Sequence, residues 1–136
     1  IKNMNEFLVL DSFALLSYYQ QELGGSVVEE KLQQAREGKI TIFVSEINIG
    51  EVYYMTCKKH GKERAKEVLA NLWTLPLTFV LPQRESILNA AAFKSIAPIS
   101  YADCFVLDLA ITKKATILTG DPEVKNFEKE VKIKWI

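Results

Sequence analysis

The sequence predicts an α/β protein with three α/β/α layers around a central, mostly parallel five-stranded sheet. Three observations carry that prediction. Short apolar runs alternate with longer segments of helical spacing along the chain. The first run, "FLVL" at 7–10, has no polar face, as a strand covered on both sides requires. Three of the four aspartates, Asp11, Asp103 and Asp121, stand at strand ends or helix starts, where open parallel sheets bind ligands.

Five runs read as strands: "FLVL" at 7–10, "ITIFV" at 40–44, "LTFVL" at 77–81, "TILT" at 116–119 and "VKIKWI" at 131–136. The last alternates more than the others, which suits an edge strand. Two helices fit between the first and second strands, and two between the second and third. Ser26 followed by Glu29 has the spacing of a capping box. Ser45 is placed to cap "EINIGEVYYMTCKK", and Ser100 to cap "YADCFVLDLAITKK", with Asp103 at its third helical position. Gly24, Gly38, Gly61 and Pro82 supply stops. Pro122 falls at a first helical position, where its missing N–H costs nothing. Trp73 is expected to close its helix onto the core ahead of "LPLTFVL".

At 136 residues the chain reads as one domain, spanning 4–136. It opens on Ile1, so residues 1–3 read as an addition ahead of Met4. A hydrophobic fraction of 49% and a charged fraction of 25% are those of a soluble globular chain. With 17 basic and 17 acidic residues the formal charge is zero, which excludes a strongly basic nucleic-acid-binding domain but not a local basic patch. Cys57 and Cys104 have no metal-ligand spacing and read as reduced, buried thiols of a cytoplasmic protein. No apolar run approaches the roughly eighteen residues of a membrane span, and the N-terminus lacks a leader pattern.

The acids carry the chemistry. Asp11 ends the first strand, Asp121 follows the fourth in "TILTGDP", and Asp103 lies in the first turn of the helix before it. Asp11 and Asp121 become neighbours if the first and fourth strands flank the point where strand order reverses. Glu51 is the fourth candidate, embedded in an apolar helical face of Ile47, Val52, Tyr54 and Met55. Glu46, at the helix start, is assigned to the dipole. Asp108, five residues after Asp103, is turned about 140° around the helix and reads as exposed or locally paired. Singly, Asp11, Asp103 and Asp121 are ordinary caps or turn residues. Together with Glu51 they make a metal site the better account, because clustered carboxylates repel or take up protons unless a cation joins them. Hard divalent ions prefer such oxygens.

Other features read blandly. "CKKHGKER" at 57–64 and Lys113–Lys114 are solvated helix ends, with phosphate binding as the functional alternative. His60, before Gly61, reads as a helix C-terminal cap. Tyr18, Tyr19, Tyr53 and Tyr54 lie on helices expected near the groove, where base stacking, a dimer contact or core packing are all open.

The stretches "LVLDSFALLSYY", "SEINIGEVYY" and "ISYADCFVLDLAITKKATILTGDPEVKNFE" resemble the PIN-domain family of metal-dependent ribonucleases, and most of all the toxins of VapBC-type toxin–antitoxin pairs. The likeness covers nearly the whole chain, with the acids in family order. It implies a PIN-like sheet and hydrolysis of RNA phosphodiester bonds with Mg²⁺ or Mn²⁺. It assigns Asp11, Glu51, Asp103 and Asp121 as metal-binding and catalytic acids, with Ser12 and Thr119 as supporting hydroxyls. It further implies a homodimer and an antitoxin partner. A receiver-type domain would carry an acid at the end of the third strand, where this chain reads "VLPQ". A haloacid-dehalogenase-type site would need Asp-x-Asp, where it reads Asp11-Ser12-Phe13. The alternative function is a non-catalytic RNA- or protein-binding module on the same fold, in which the acids are caps.

Overall fold

A computed structural model describes residues 6–136. The reading of residues 1–3 as an addition lies outside them. In chain order the elements are β1 (Glu6–Leu10), α1 (Ser12–Tyr19), α2 (Gly25–Arg36), β2 (Ile40–Ser45), α3 (Glu46–His60) and α4 (Lys62–Leu72). There follow β3 (Thr78–Val80), α5 (Arg84–Lys94), α6 (Tyr101–Lys113), β4 (Thr116–Thr119), a 3₁₀ helix (Pro122–Phe127) and β5 (Ile133–Trp135). The five strands form one sheet in the order β3-β2-β1-β4-β5, and every pairing is parallel.

Successive side chains of a strand point to opposite faces, and the core divides accordingly. Leu8, Leu10, Ile42, Val44 and Leu118 pack beneath Leu15, Val28, Leu32, Val52, Val68 and Leu72 of α1–α4. On the other face Val9, Phe43 and Ile117 meet Ala90 of α5, Phe105, Val106 and Leu109 of α6, and Phe127. These are the three expected layers. Ser45 and Ser100 cap α3 and α6 as expected, accepting from the N–H groups of Ile47 and Asp103. Pro122 opens the 3₁₀ helix and β5 lies at a sheet edge, also as expected.

Several local expectations are corrected. The Ser26–Glu29 capping box is not formed, because α2 begins at Gly25, and Gly24 caps that start rather than stopping a helix. The cause is a close crossing: a Cβ on Gly25 would lie 2.6 Å from the Ser17 carbonyl oxygen, so glycine must occupy the first turn where α2 passes over α1. The third strand is three residues long, with Thr78 exposed and Phe79 and Val80 half-buried, because it has a neighbour on one side only. Trp73 is 47% exposed, and its ring lies edge-on to Phe79 at 4.9 Å rather than in the core. The inward face of α3 is Asn48, Ile49, Val52 and Thr56, while Tyr54 and Met55 point to solvent. Of the two readings of Asp108 the exposed one fails and the paired one holds, though with another helix: it is buried and accepts from Asn89 Nδ2 at 2.9 Å because α5 covers that side of α6. Gly61, not His60, closes α3, its N–H donating to the Cys57 carbonyl. Both thiols are free, Cys104 buried and Cys57 only half-buried. Among the described residues, no helix is long and apolar enough to cross a membrane.

Candidate metal centre

From β1 the chain builds outward through β2 to β3, whereas β4 and β5 lie on the other side of β1. Strand order therefore reverses between β1 and β4, and the crevice beyond their carboxyl ends is the natural ligand site of such a sheet. Leu10 pairs with Leu118 there, so Asp11 and Asp121 leave adjacent strands at one edge. Asp11 caps α1, its Oδ1 accepting from the Ala14 N–H at 2.9 Å. Its Oδ2 accepts from the Thr119 hydroxyl, and that same hydroxyl oxygen accepts from the Asp121 N–H at 2.9 Å. Thr119 thus ties the first acid to the last. Ser12 is buried beside Asp11 but, among the described residues, gives no hydrogen bond to an acid.

Carboxylate oxygens of Asp103, Asp121 and Glu123 lie within 4.8 Å of one another, a span that one cation can bridge. Asp103 is buried, Asp121 half-buried and Glu123 exposed. Glu123 is not among the acids that the sequence singles out. The 3₁₀ helix brings it back, because its N–H donates to Asp121 Oδ1 at 2.9 Å. A carboxylate in the first turn of a capped helix was the available signal.

Asp11 and Glu51 stand outside that three-acid group but share its field. Burial pushes the Asp11 carboxyl up to about 7. The Thr119 and Ala14 hydrogen bonds oppose the rise, and the charges of Asp121 and Glu51 add to it. Asp103 is pushed up to about 8, first by burial, then by a hydrogen bond with Asp121 and by the charges of Asp11 and Asp121, with Ser100 opposing. Glu51 is half-buried, and Asn48 Nδ2 sits 3.4 Å from its Oε1.

Such a donor set fits a hard divalent cation. All its atoms are carboxylate or hydroxyl oxygens, which suit Mg²⁺ and Mn²⁺. Without a cation, burial first and the neighbouring acids second raise the Asp11 and Asp103 carboxyls well above the usual carboxylate range. Tyr18 and Tyr19 belong elsewhere: they line a recess of about 630 Å³ between α1, α2 and α4, which none of Asp11, Glu51, Asp103, Asp121 and Glu123 lines.

The family model for the PIN domain matches residues 8–130. No curated protein matches the chain. Solved structures similar to it include VapBC2 of Rickettsia felis bound to a DNA fragment from its promoter. That match has 17% identity and a TM-score of 0.72, covering 96% of this chain and 98% of the other. VapC20 of Mycobacterium tuberculosis, a sarcin–ricin loop cleaving toxin, is 11% identical with a TM-score of 0.69, over 89% and 94% of the two chains. DNA-bound VapBC of Salmonella typhimurium is 16% identical with a TM-score of 0.68, over 96% and 98%. At these identities the likeness is one of fold.

Proposed function

This chain belongs to the PIN-domain family, and on that footing we propose that it is a metal-dependent endoribonuclease that hydrolyses RNA phosphodiester bonds. The observation that carries the reading is the convergence of Asp103, Asp121 and Glu123 within 4.8 Å, at the strand-order reversal and beside Asp11. In this reading Asp103, Asp121 and Glu123 hold a Mg²⁺ or Mn²⁺ ion. When bound, the ion supplies charge stabilisation at the scissile phosphate and a water of lowered pKa. Asp11 anchors the cluster through Thr119 and adds negative charge that favours the cation. Glu51 orients the attacking water and takes its proton on the carboxylate. The water oxygen bonds to phosphorus as the bond to the leaving ribose oxygen breaks, and solvent reprotonates the leaving group. In the same reading Ser12, buried beside Asp11, is a supporting hydroxyl for a water or a substrate phosphate.

The fold likeness to VapBC structures supports a finer proposal: a cytoplasmic toxin, homodimeric, restrained by a cognate antitoxin protein. Cleavage of an RNA pool with Mg²⁺ or Mn²⁺ tests the activity. The metal-loaded protein should cut, and EDTA should abolish cutting. A metal held by acids contributes several kcal/mol at the transition state, and each 1.4 kcal/mol is tenfold in rate. Asp121→Asn, which loses a ligand, should therefore cut at least about a hundredfold more slowly, and Asp11→Asn, which loses charge beside the ion and weakens the tie through Thr119, should also cut more slowly. Undiminished cleavage by Asp121→Asn would remove that residue from the site. Cleavage that survives EDTA would end the metal-dependent reading, and no cleavage of any RNA would favour the binding-module alternative.

A further inference from the structure

Asn48 is the one described residue with a buried side-chain polar atom lacking a partner. It sits on the inward face of α3 and is 0% exposed. Its Nδ2 lies 3.4 Å from Glu51 Oε1 and 3.5 Å from the Ala102 carbonyl oxygen. Both neighbours are acceptors, so the amide orientation follows from chemistry: turned over, Oδ1 would face two oxygens. Three residues apart on one helix, Asn48 and Glu51 are stacked on the same face. Ala102 immediately precedes Asp103. One NH₂ group therefore bridges the acid of α3 to the backbone of α6 next to Asp103.

For folding alone this is a poor choice of residue. The two hydrogen bonds are at the long, weak end of the range. The Oδ1 is buried among groups that give it nothing, a costly arrangement. Leucine has a similarly branched shape and would fill the space without leaving an acceptor stranded. What leucine cannot do is donate to Glu51, whose charge is felt at Asp11. A half-buried carboxylate repelled by neighbouring acids relaxes towards solvent unless a donor holds it.

We infer that Asn48 is a positioning residue: its amide holds the Glu51 carboxylate against the start of α6 and thereby sets the affinity of the acidic cluster for a divalent cation. This rests on the metal-site reading above. The Asn48 amide touches no ligand directly, but it bonds Glu51 and the backbone beside Asp103, and outer partners of this kind change metal affinity by about 10–100-fold when lost.

Mn²⁺ titration calorimetry on the full chain tests it, with wild type, Asn48→Leu, Glu51→Gln and the double variant, alongside urea unfolding of each metal-free protein. Asn48→Leu should be at least as stable as wild type without metal, yet bind Mn²⁺ about tenfold more weakly. In the Glu51→Gln background the leucine should change affinity no further, because the amide acts through Glu51. A purely structural asparagine gives the opposite pattern, with lost stability and unchanged affinity, and that result overturns the inference. So does an additive loss in the double variant, or Glu51→Gln binding as wild type does while the wild type still binds Mn²⁺. A wild type that binds no Mn²⁺ removes the metal-site reading itself, and this inference with it. If Asn48→Leu fails to fold, Asn48→Ala, which likewise has no donor for Glu51, replaces it with the same expected loss of affinity. If neither folds, Asn48 is a structural residue and the inference falls.

Discussion

Both oxygens of the Asp11 carboxylate are engaged, one by the start of its own helix and the other by Thr119. The Thr119 hydroxyl also takes the Asp121 N–H, so it is the smallest unit holding two strand ends in register. Thr119→Val keeps the side-chain shape and removes both bonds. It should lower stability by about 1–3 kcal/mol, the cost of stranding buried polar groups, read by urea unfolding. Because the hydroxyl lowers the Asp11 pKa, the variant should also titrate Asp11 at higher pH, read by carboxyl NMR. Sequence placed Asp11, Asp103 and Asp121 at strand and helix ends. It did not find Glu123, which reaches the cluster only through the turn of the 3₁₀ helix.

At the scale of elements, the crossing of α1 and α2 is set by one missing methyl group. Gly25→Ala would drive a Cβ into the Ser17 carbonyl, which is backbone and cannot step aside. The expected loss is about 1–3 kcal/mol, as for other overpacked sites, seen as a lower urea midpoint with an unchanged slope. A variant as stable as wild type would show that the two helices can part freely. Helix α3 shows where periodicity misleads. Ile47, Val52, Tyr54 and Met55 look like one stripe, but α3 presents Ile49 and Val52 to the core and leaves Tyr54 and Met55 outside. Helix α6 is apolar almost all round, so its far side needed a cover, and α5 provides it together with a partner for Asp108.

For the whole molecule, the acids couple stability to pH. Folded Asp11 and Asp103 hold their protons up to about 7 and about 8, whereas both have a reference value of 3.8. Between these limits the folded state binds more protons than the unfolded state, so stability falls as pH rises, and the loss is complete above about pH 8. The metal-free Tm should decline from these groups between about pH 4 and 8, with a shallower decline in Asp11→Asn. Mn²⁺ competes with those protons. At a hundredfold excess over its Kd it should add about 2.7 kcal/mol, or roughly 10 °C in Tm for a domain of this size, and a fixed Mn²⁺ concentration should add more at pH 8 than at pH 5.5. Calorimetric scans with and without Mn²⁺ check both slopes. By itself the sequence determined the alternation of strands and helices, the caps at Ser45 and Ser100, and the seats of three aspartates. Those features depend on residues within a turn or so of one another. Only the tertiary structure decided that β4 lies against β1, that Glu123 joins Asp103 and Asp121, and which faces of α3 and α6 are covered. Those outcomes depend on which distant elements pack together, and a local period does not encode that.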